Sequence, residues 1–159
     1  MPPTFRAATA AALTATALVA GGCGSSKSDN TPDTTAFRTA FTAESARIKA
    51  LGVELGTGVQ EAEKKTDAQI VTQFTDFASR AHDAADAVDA LAAPATVKPD
   101  MTTLARALTK VAGDLDQIVT TVKAGDLASV KKASSALVID AAPVKDARAK
   151  AIKDVAALK

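Results

Sequence analysis

The residue types that most often carry catalysis or bind metals are sparse in this chain. It has one histidine, His82, and one cysteine, Cys23, among 159 residues. A zinc site needs several His or Cys ligands at fixed spacing, and a di-iron site in a four-helix bundle needs Glu-x-x-His pairs. Haem ligation would require His82 with Met101, and no CxxCH motif accompanies them. We therefore expect no metal and no cofactor, and we interpret His82 as a surface imidazole beside Asp86.

Four aspartates on the second predicted helix are the remaining candidates for acid chemistry. Their helical angles spread around the surface, and no DxDxDG loop is present, so a solvated acidic face is the simpler interpretation. The nucleophile motif GxSxG is also missing from the sequence. The four residues are Asp76, Asp83, Asp86 and Asp89. The sequence therefore predicts a protein that is not an enzyme.

Two glycines, Gly52 and Gly56, lie four residues apart on the first predicted helix. A glycine inside a helix costs up to about 1 kcal/mol relative to alanine. We favour close packing against a neighbouring helix as the reason for the pair. The alternative is a dent in the surface where a ligand or a partner makes contact.

The N-terminus has the three zones of a secretory signal peptide. Arg6 and the α-amino group are positive, residues 7–20 carry no charge, and two glycines precede Cys23. The uncharged stretch would span roughly 21 Å as a helix, which is shorter than the ~30 Å hydrocarbon core of a bilayer. We therefore expect a cleaved signal rather than a membrane span.

The segment VAGG-Cys23-GSS resembles the lipobox of bacterial lipoproteins, although Ala20 stands where that family usually has leucine. The resemblance implies that Cys23 receives a diacylglycerol thioether and becomes the first residue of the mature chain, with further acyl groups such as palmitate. The alternative is an ordinary secreted protein with one cysteine at this position. No second cysteine exists to form an internal disulfide.

These features divide the chain into residues 1–22 as a lipoprotein signal peptide, 23–35 as a lipidated flexible tether and 36–159 as a helical domain. Residues 24–35 are polar and small, which is typical of a tether. The expected location is extracytoplasmic, with the domain lipid-anchored to the cell membrane through Cys23.

The balance of charge argues against a nucleic-acid partner. The chain has 19 Lys and Arg against 18 Asp and Glu, and the one base of the signal is lost on cleavage. Phosphate recognition needs a basic excess. Tyr and Trp are absent, which also lowers the probability of binding sugars or single strands by stacking.

Apolar residues recur at steps of three and four through four segments that are separated by helix start and stop signals. Thr66 and Gln69 have the spacing of a capping box, and Gly125 followed by Asp126 ends one helix and begins the next. The pattern predicts an all-α protein, an antiparallel up-down-up-down four-helix bundle that follows a disordered signal and tether. Pro143 should kink or briefly break the fourth helix.

The C-terminal half of the fourth predicted helix is rich in bases. Near an anionic head group each base could contribute about 1 kcal/mol to binding, so this end could contact the lipid surface. A solvated face is the alternative. The bases are Lys145, Arg148, Lys150, Lys153 and Lys159, and the acids among them are Asp146 and Asp154.

The turns at residues 91–94 (Leu-Ala-Ala-Pro) and 124–127 (Ala-Gly-Asp-Leu) resemble those of small, alanine-rich lipoproteins of high-GC actinobacteria. That resemblance implies compartment and fold, and no mechanism. We expect a non-enzymatic cell-envelope lipoprotein that acts by protein–protein contact with an unknown envelope protein. The alternative is a carrier that holds a small apolar or lipidic ligand inside the bundle, where Glu44 and Ser134 interrupt the apolar seams.

Overall fold

A computed structural model describes residues 33–159 of the protein. They form α1 (Thr34–Glu61), α2 (Asp67–Asp89), α3 (Lys98–Lys123) and α4 (Leu127–Ala156), with a short 3-10 turn at Ala62–Lys64. Each helix contacts the next one along the chain, and α4 contacts α1, so the four helices close into a ring. The predicted all-α four-helix bundle is confirmed. The predicted signal peptide and most of the predicted tether lie outside the described residues.

Helix α1 begins two residues before the domain boundary predicted at residue 36. Asp33 is its N-cap, and the Asp33 side chain accepts hydrogen bonds from the backbone N–H groups of Thr35 (2.8 Å) and Ala36 (3.1 Å). A capping carboxylate satisfies backbone donors that have no partner inside the helix. The cap, rather than the first apolar residue, therefore sets the start of the helix.

The predicted helix boundaries after α1 are confirmed. The Thr66 hydroxyl accepts from the Gln69 N–H at 3.4 Å, and the Gln69 side chain accepts from the Thr66 N–H at 2.9 Å, which completes the capping box. Gly125 has a φ of 68°, a left-handed conformation that ends α3 at little steric cost. Asp126 then caps α4 by accepting from the Ser129 N–H at 3.1 Å.

Helix α4 continues through Pro143, so of the two predicted effects, a kink or a brief break, the break is wrong. Proline removes the hydrogen bond that would run to the carbonyl four residues earlier, which is that of Ile139. Both Pro143 and Ile139 lie on the exposed side of the helix. Water can therefore bind the carbonyl that loses its partner, and packing on the opposite side keeps the helix continuous.

Small residues bring three of the helices together. The buried positions of α2, α3 and α4 include several alanines, and α3 packs closely against both α2 and α4. Alanine has no side chain beyond Cβ, so it lets two helix backbones approach. The buried alanines are Ala78, Ala81, Ala84 and Ala85 of α2, Ala105 and Ala112 of α3, and Ala133 and Ala151 of α4.

Helix α1 differs, because none of its buried residues is alanine. It contributes large side chains to the core, which hold its backbone further from its neighbours, and its contacts with α4 are the sparsest in the ring. The large residues are Phe37, Phe41, Ile48, Leu51 and Leu55. Gly58 is the exception near the end of α1. A Cβ at Gly58 would lie 2.7 Å from Phe77 Cε2, so glycine is needed for this contact.

This geometry predicts opposite effects for alanine at two glycines of one helix. Gly58→Ala should lower the free energy of unfolding by about 1–3 kcal/mol, because the new methyl group overlaps the Phe77 ring. Gly56→Ala is the matched control, and it should raise that free energy by up to about 1 kcal/mol, since its Cβ meets no atom within 4 Å. Urea unfolding followed by circular dichroism measures both, and a stabilised Gly58→Ala variant would contradict the proposed packing.

Candidate functional site

The chemistry-bearing residues singled out in the sequence stay apart in the fold. His82 is exposed, and its Nε2 lies 3.0 Å from Asp116 Oδ2 of α3, so the partner predicted for it, Asp86, is wrong. Asp86 lies on the exposed side of α2 with the other three aspartates. Within residues 33–159 no three His, Cys, Asp or Glu side chains come together in a way that could hold a metal ion.

The lipid attachment predicted at Cys23 lies outside the described residues, and it stays a prediction. The tether that would follow Cys23 is outside them as well, apart from residues 33–35. Among the helices that are described, none is both long enough and apolar enough to span a bilayer.

Gly52 and Gly56 are both exposed, and a Cβ added at either would have no atom within 4 Å. The interpretation that these glycines allow close helix packing is therefore wrong. The buried stripe of α1 passes through Leu51 and Leu55, and each glycine follows one of these leucines, about 100° further around the helix. The predicted contact of Gly52 and Gly56 with a ligand or partner stays a prediction.

Gly52 borders a small apolar cavity that opens between α1 and α4 and extends towards the core. Its volume is about 70 Å³, and side chains of all four helices line it, among them Leu55, Leu108 and Ala141. Binding pockets for small molecules usually measure ~300–1,000 Å³. This cavity can hold a few water-sized groups at most, so the core of the bundle is essentially filled.

A much larger depression, which we call the basic groove, runs along the surface between α1 and α4. Its volume is about 420 Å³, and its lining is mostly apolar. It exists because the large buried residues of α1 keep that helix away from α4. The lining residues are Arg38, Phe41, Thr42, Ser45, Ala46, Lys49, Arg148, Ile152, Val155 and Ala156.

Two arginines of the basic groove are held by backbone carbonyls. Arg148 Nε donates to the Ser45 carbonyl at 2.8 Å, which ties α4 to α1. Arg38 donates from Nε to the Val155 carbonyl at 3.3 Å and from its terminal nitrogen to the Leu158 carbonyl. The Val155 carbonyl also accepts from the Leu158 N–H at 3.3 Å, and carbonyls at the end of a helix carry partial negative charge, so Arg38 acts as a C-terminal cap.

The positive charge of the basic groove is not neutralised within the described part of the chain. Arg38, Lys49 and Arg148 form no ion pair there, and no acidic residue lines the groove. Two grooves between α1 and α2 have comparable volumes, about 320 and 410 Å³, but acidic and basic residues line both. In one of them Arg80 pairs with Glu54 at 2.6 Å. The groove between α1 and α4 is therefore suited to an anionic partner.

An uncharged surface, which we call the apolar patch, continues from the basic groove along the same two helices. Ala141 lies across the small cavity from Gly52. On α4, Val138 is 65% exposed, although most side chains of this size are buried, and it lies about 60° around the helix from Ala141. Ile139 is 69% exposed but points to the other side of α4, about 160° from Ala141. We define the apolar patch as Gly52, Gly56, Val138 and Ala141, and we call the basic groove and the apolar patch together the α1–α4 face.

The sequence shows the bases of α4 but not which of them lie on this face. Lys150 binds Asp100 (2.5 Å) and Asp154 (2.7 Å), so it is not part of the face. Arg148 binds the Ser45 carbonyl of α1. The contact of these bases with a lipid surface stays a prediction. The spacing between α1 and α4 depends on the sizes of side chains from all four helices, so no local motif reports it.

The seam between α3 and α4 has the opposite electrostatic character. Lys110 donates to Asp140 at 2.7 Å, and this contact raises the pKa of Lys110 and lowers that of Asp140. Asp114 lies one turn beyond Lys110, and its Oδ2 is shielded from solvent without a hydrogen-bond partner among the described residues. Burial, and then the neighbouring Asp140 carboxyl, raise the pKa of Asp114.

Comparison with known proteins adds no relative to this geometry. No protein-family model matches the sequence, and no curated protein or solved structure matches it. The α1–α4 face is therefore the principal candidate site on the strength of its own shape and charge.

The raised pKa of Asp114 predicts a stability that depends on pH. Because the folded state favours the protonated carboxyl, ionised Asp114 opposes folding near neutral pH, and this penalty disappears as the pH falls below the ordinary Asp pKa of 3.8. Asp114→Asn should therefore raise the melting temperature at pH 7, and its advantage should shrink as the pH is lowered. Melting curves across this pH range measure the effect.

Asp116→Asn provides the control for that experiment. Asp116 is exposed on the same helix and pairs only with exposed His82, so its replacement should leave the melting temperature at pH 7 unchanged or slightly lower. An equal gain from both variants would mean that general charge repulsion, rather than the shielded Asp114 oxygen, limits stability.

Proposed function

We propose that the protein is a non-enzymatic cell-envelope lipoprotein, held to the membrane by acylated Cys23, that acts by protein–protein contact through the α1–α4 face. The observation that carries the proposal is the contrast between a filled core and an open surface groove. The small apolar cavity beside Gly52 measures about 70 Å³, whereas the basic groove measures about 420 Å³. A partner therefore has access to the surface between α1 and α4.

The exposed apolar side chains support the same function. Of the large hydrophobic residues that are exposed in the described chain, Val138 and Ile152 lie on α4 within the α1–α4 face. Grouped apolar residues beside charged ones are typical of protein–protein interfaces. A carrier for a ligand inside the bundle remains the alternative, and it has less support because the cavity is small.

Anchoring at Cys23 predicts a lipid label that depends on this residue. Metabolic labelling with radioactive palmitate in the native host should give a label that is stable to neutral hydroxylamine, because thioether-linked diacylglycerol and an N-acyl amide resist this reagent and a thioester does not. The unchanged protein should be labelled and found in the membrane fraction, whereas Cys23→Ser should be neither. Ser25→Ala is the matched control and should keep the label. A labelled Cys23→Ser protein, or an unlabelled soluble wild type, would contradict the anchor.

If the protein binds its partner through the α1–α4 face, a charge at an exposed apolar residue of α4 inside the face should weaken the complex. A charge at an exposed apolar residue of α4 outside the face should not. The protein extracted with mild detergent should migrate on a native gel as a complex larger than the single chain. Val138→Asp should reduce the complex at least about tenfold, as expected when a charge replaces an apolar group at the centre of an interface. Leu127→Asp is the control, because Leu127 is 77% exposed at the start of α4, outside the face.

Both variants change residues that are already exposed, so they should fold as the wild type does. A wild-type protein that migrates as the single chain would overturn the contact function. A complex that survives Val138→Asp would move the contact to another surface.

A further inference from the structure

We propose that the basic groove binds an acidic amphipathic helix of a partner protein, which packs its apolar side on the groove floor and places its carboxylates beside Arg38, Lys49 and Arg148. This inference rests on the proposed contact function and names the partner's chemistry. A groove between two helices is a shape that a third helix fills in many protein complexes. Here the shape, length and charge of the groove all fit that occupant.

The length of the groove fits about three helical turns. Arg38 and Lys49 lie near its two ends on α1, and 11 residues of helix separate them, which corresponds to roughly 17 Å. Between them the floor presents Phe41, Ile152 and Val155. An amphipathic helix of that length offers three or four apolar side chains at steps of three and four residues.

The positions of the cations favour a helix over a lipid. Positive charge lies at both ends of the groove, with Arg38 at one end and Lys49 and Arg148 towards the other. A single phospholipid or fatty acid brings its negative charge to one end only. A helix can carry acidic residues along its whole length and meet all three bases.

The two arginines are also fixed before any partner arrives. Their hydrogen bonds to the carbonyls of Ser45 and Val155 restrain the guanidinium groups without cancelling their charge. A restrained cation loses less side-chain entropy on binding, so more of the attraction to a carboxylate remains as affinity.

A second copy of this chain is a poor occupant. Helix α2 is the most acidic helix, but the described chain exposes no large apolar side chain on it. The exposed large apolar residues of the described chain lie on α1 and α4 instead. No described helix combines an exposed apolar stripe with an acidic border.

Photo-crosslinking of the full chain in its own membrane tests the proposal. A p-benzoylphenylalanine side chain is placed at Ile152, inside the basic groove, or at Val138, in the apolar patch. The adduct is then digested and sequenced by mass spectrometry. We expect the Ile152 probe to label a protein segment in which acids outnumber bases and apolar residues recur at steps of three and four.

Charge reversal supplies the second readout. Lys49→Glu should lower the yield of the Ile152 adduct by about fivefold or more, because it replaces attraction by repulsion at the rim of the interface. Lys131→Glu is the matched control at an exposed position near the start of α4, and it should leave the yield unchanged. Equal losses in both variants would overturn the assignment of the groove to an acidic helix.

The two probe positions separate failure of this inference from failure of the proposed function. A Val138 adduct without an Ile152 adduct would overturn the groove assignment and leave the contact function in place. A phospholipid adduct or a basic segment at Ile152 would overturn the acidic helix. The absence of protein adducts at both positions would overturn both proposals.

Discussion

The sizes of the buried side chains determine how this bundle is built. Alanines on α2, α3 and α4 let those helices approach closely, whereas α1 enters the core through phenylalanine, isoleucine and leucine. Burying each of these large residues contributes about 1.5–3 kcal/mol, so α1 is well held even though its backbone stands further away. The distance that these side chains impose leaves the basic groove open beside α4. The candidate site is thus a consequence of core composition.

Electrostatics differ between the two seams of α4 in a way that follows from this packing. At the close α3–α4 seam, lysines pair with aspartates, as Lys110 does with Asp140 and Lys150 with Asp100. At the wider α1–α4 seam, Arg38 and Arg148 reach across to backbone carbonyls instead. Carbonyls orient a guanidinium but cannot cancel its charge. The positive charges on the α3 side of α4 are therefore neutralised by aspartates. The side of α4 that faces α1 keeps a positive surface above a mostly apolar floor.

The sequence predicted the helices well, because their signals are local. The capping box at Thr66 and the left-handed Gly125 are read directly from residue types and spacing. Prediction failed where distant residues decide the outcome. The continuity of α4 through Pro143 depends on packing on the other side of the helix, and the partner of His82 lies 34 residues away on α3. The basic groove depends on side chains of all four helices, so the bases of α4 could be seen in the sequence but not their arrangement.

Gly52 and Gly56 connect stability to the proposed function. Each lies on the exposed side of α1, where alanine would fit and would favour the helix by up to about 1 kcal/mol. Gly58 shows what a packing glycine looks like in the same helix, since a Cβ there would overlap Phe77. Packing does not account for the other two. The proposed docking surface would account for them, because side chains at Gly52 and Gly56 would stand between a partner and the exposed Val138 across the seam. On that argument the stability given up at the two glycines keeps the apolar patch accessible.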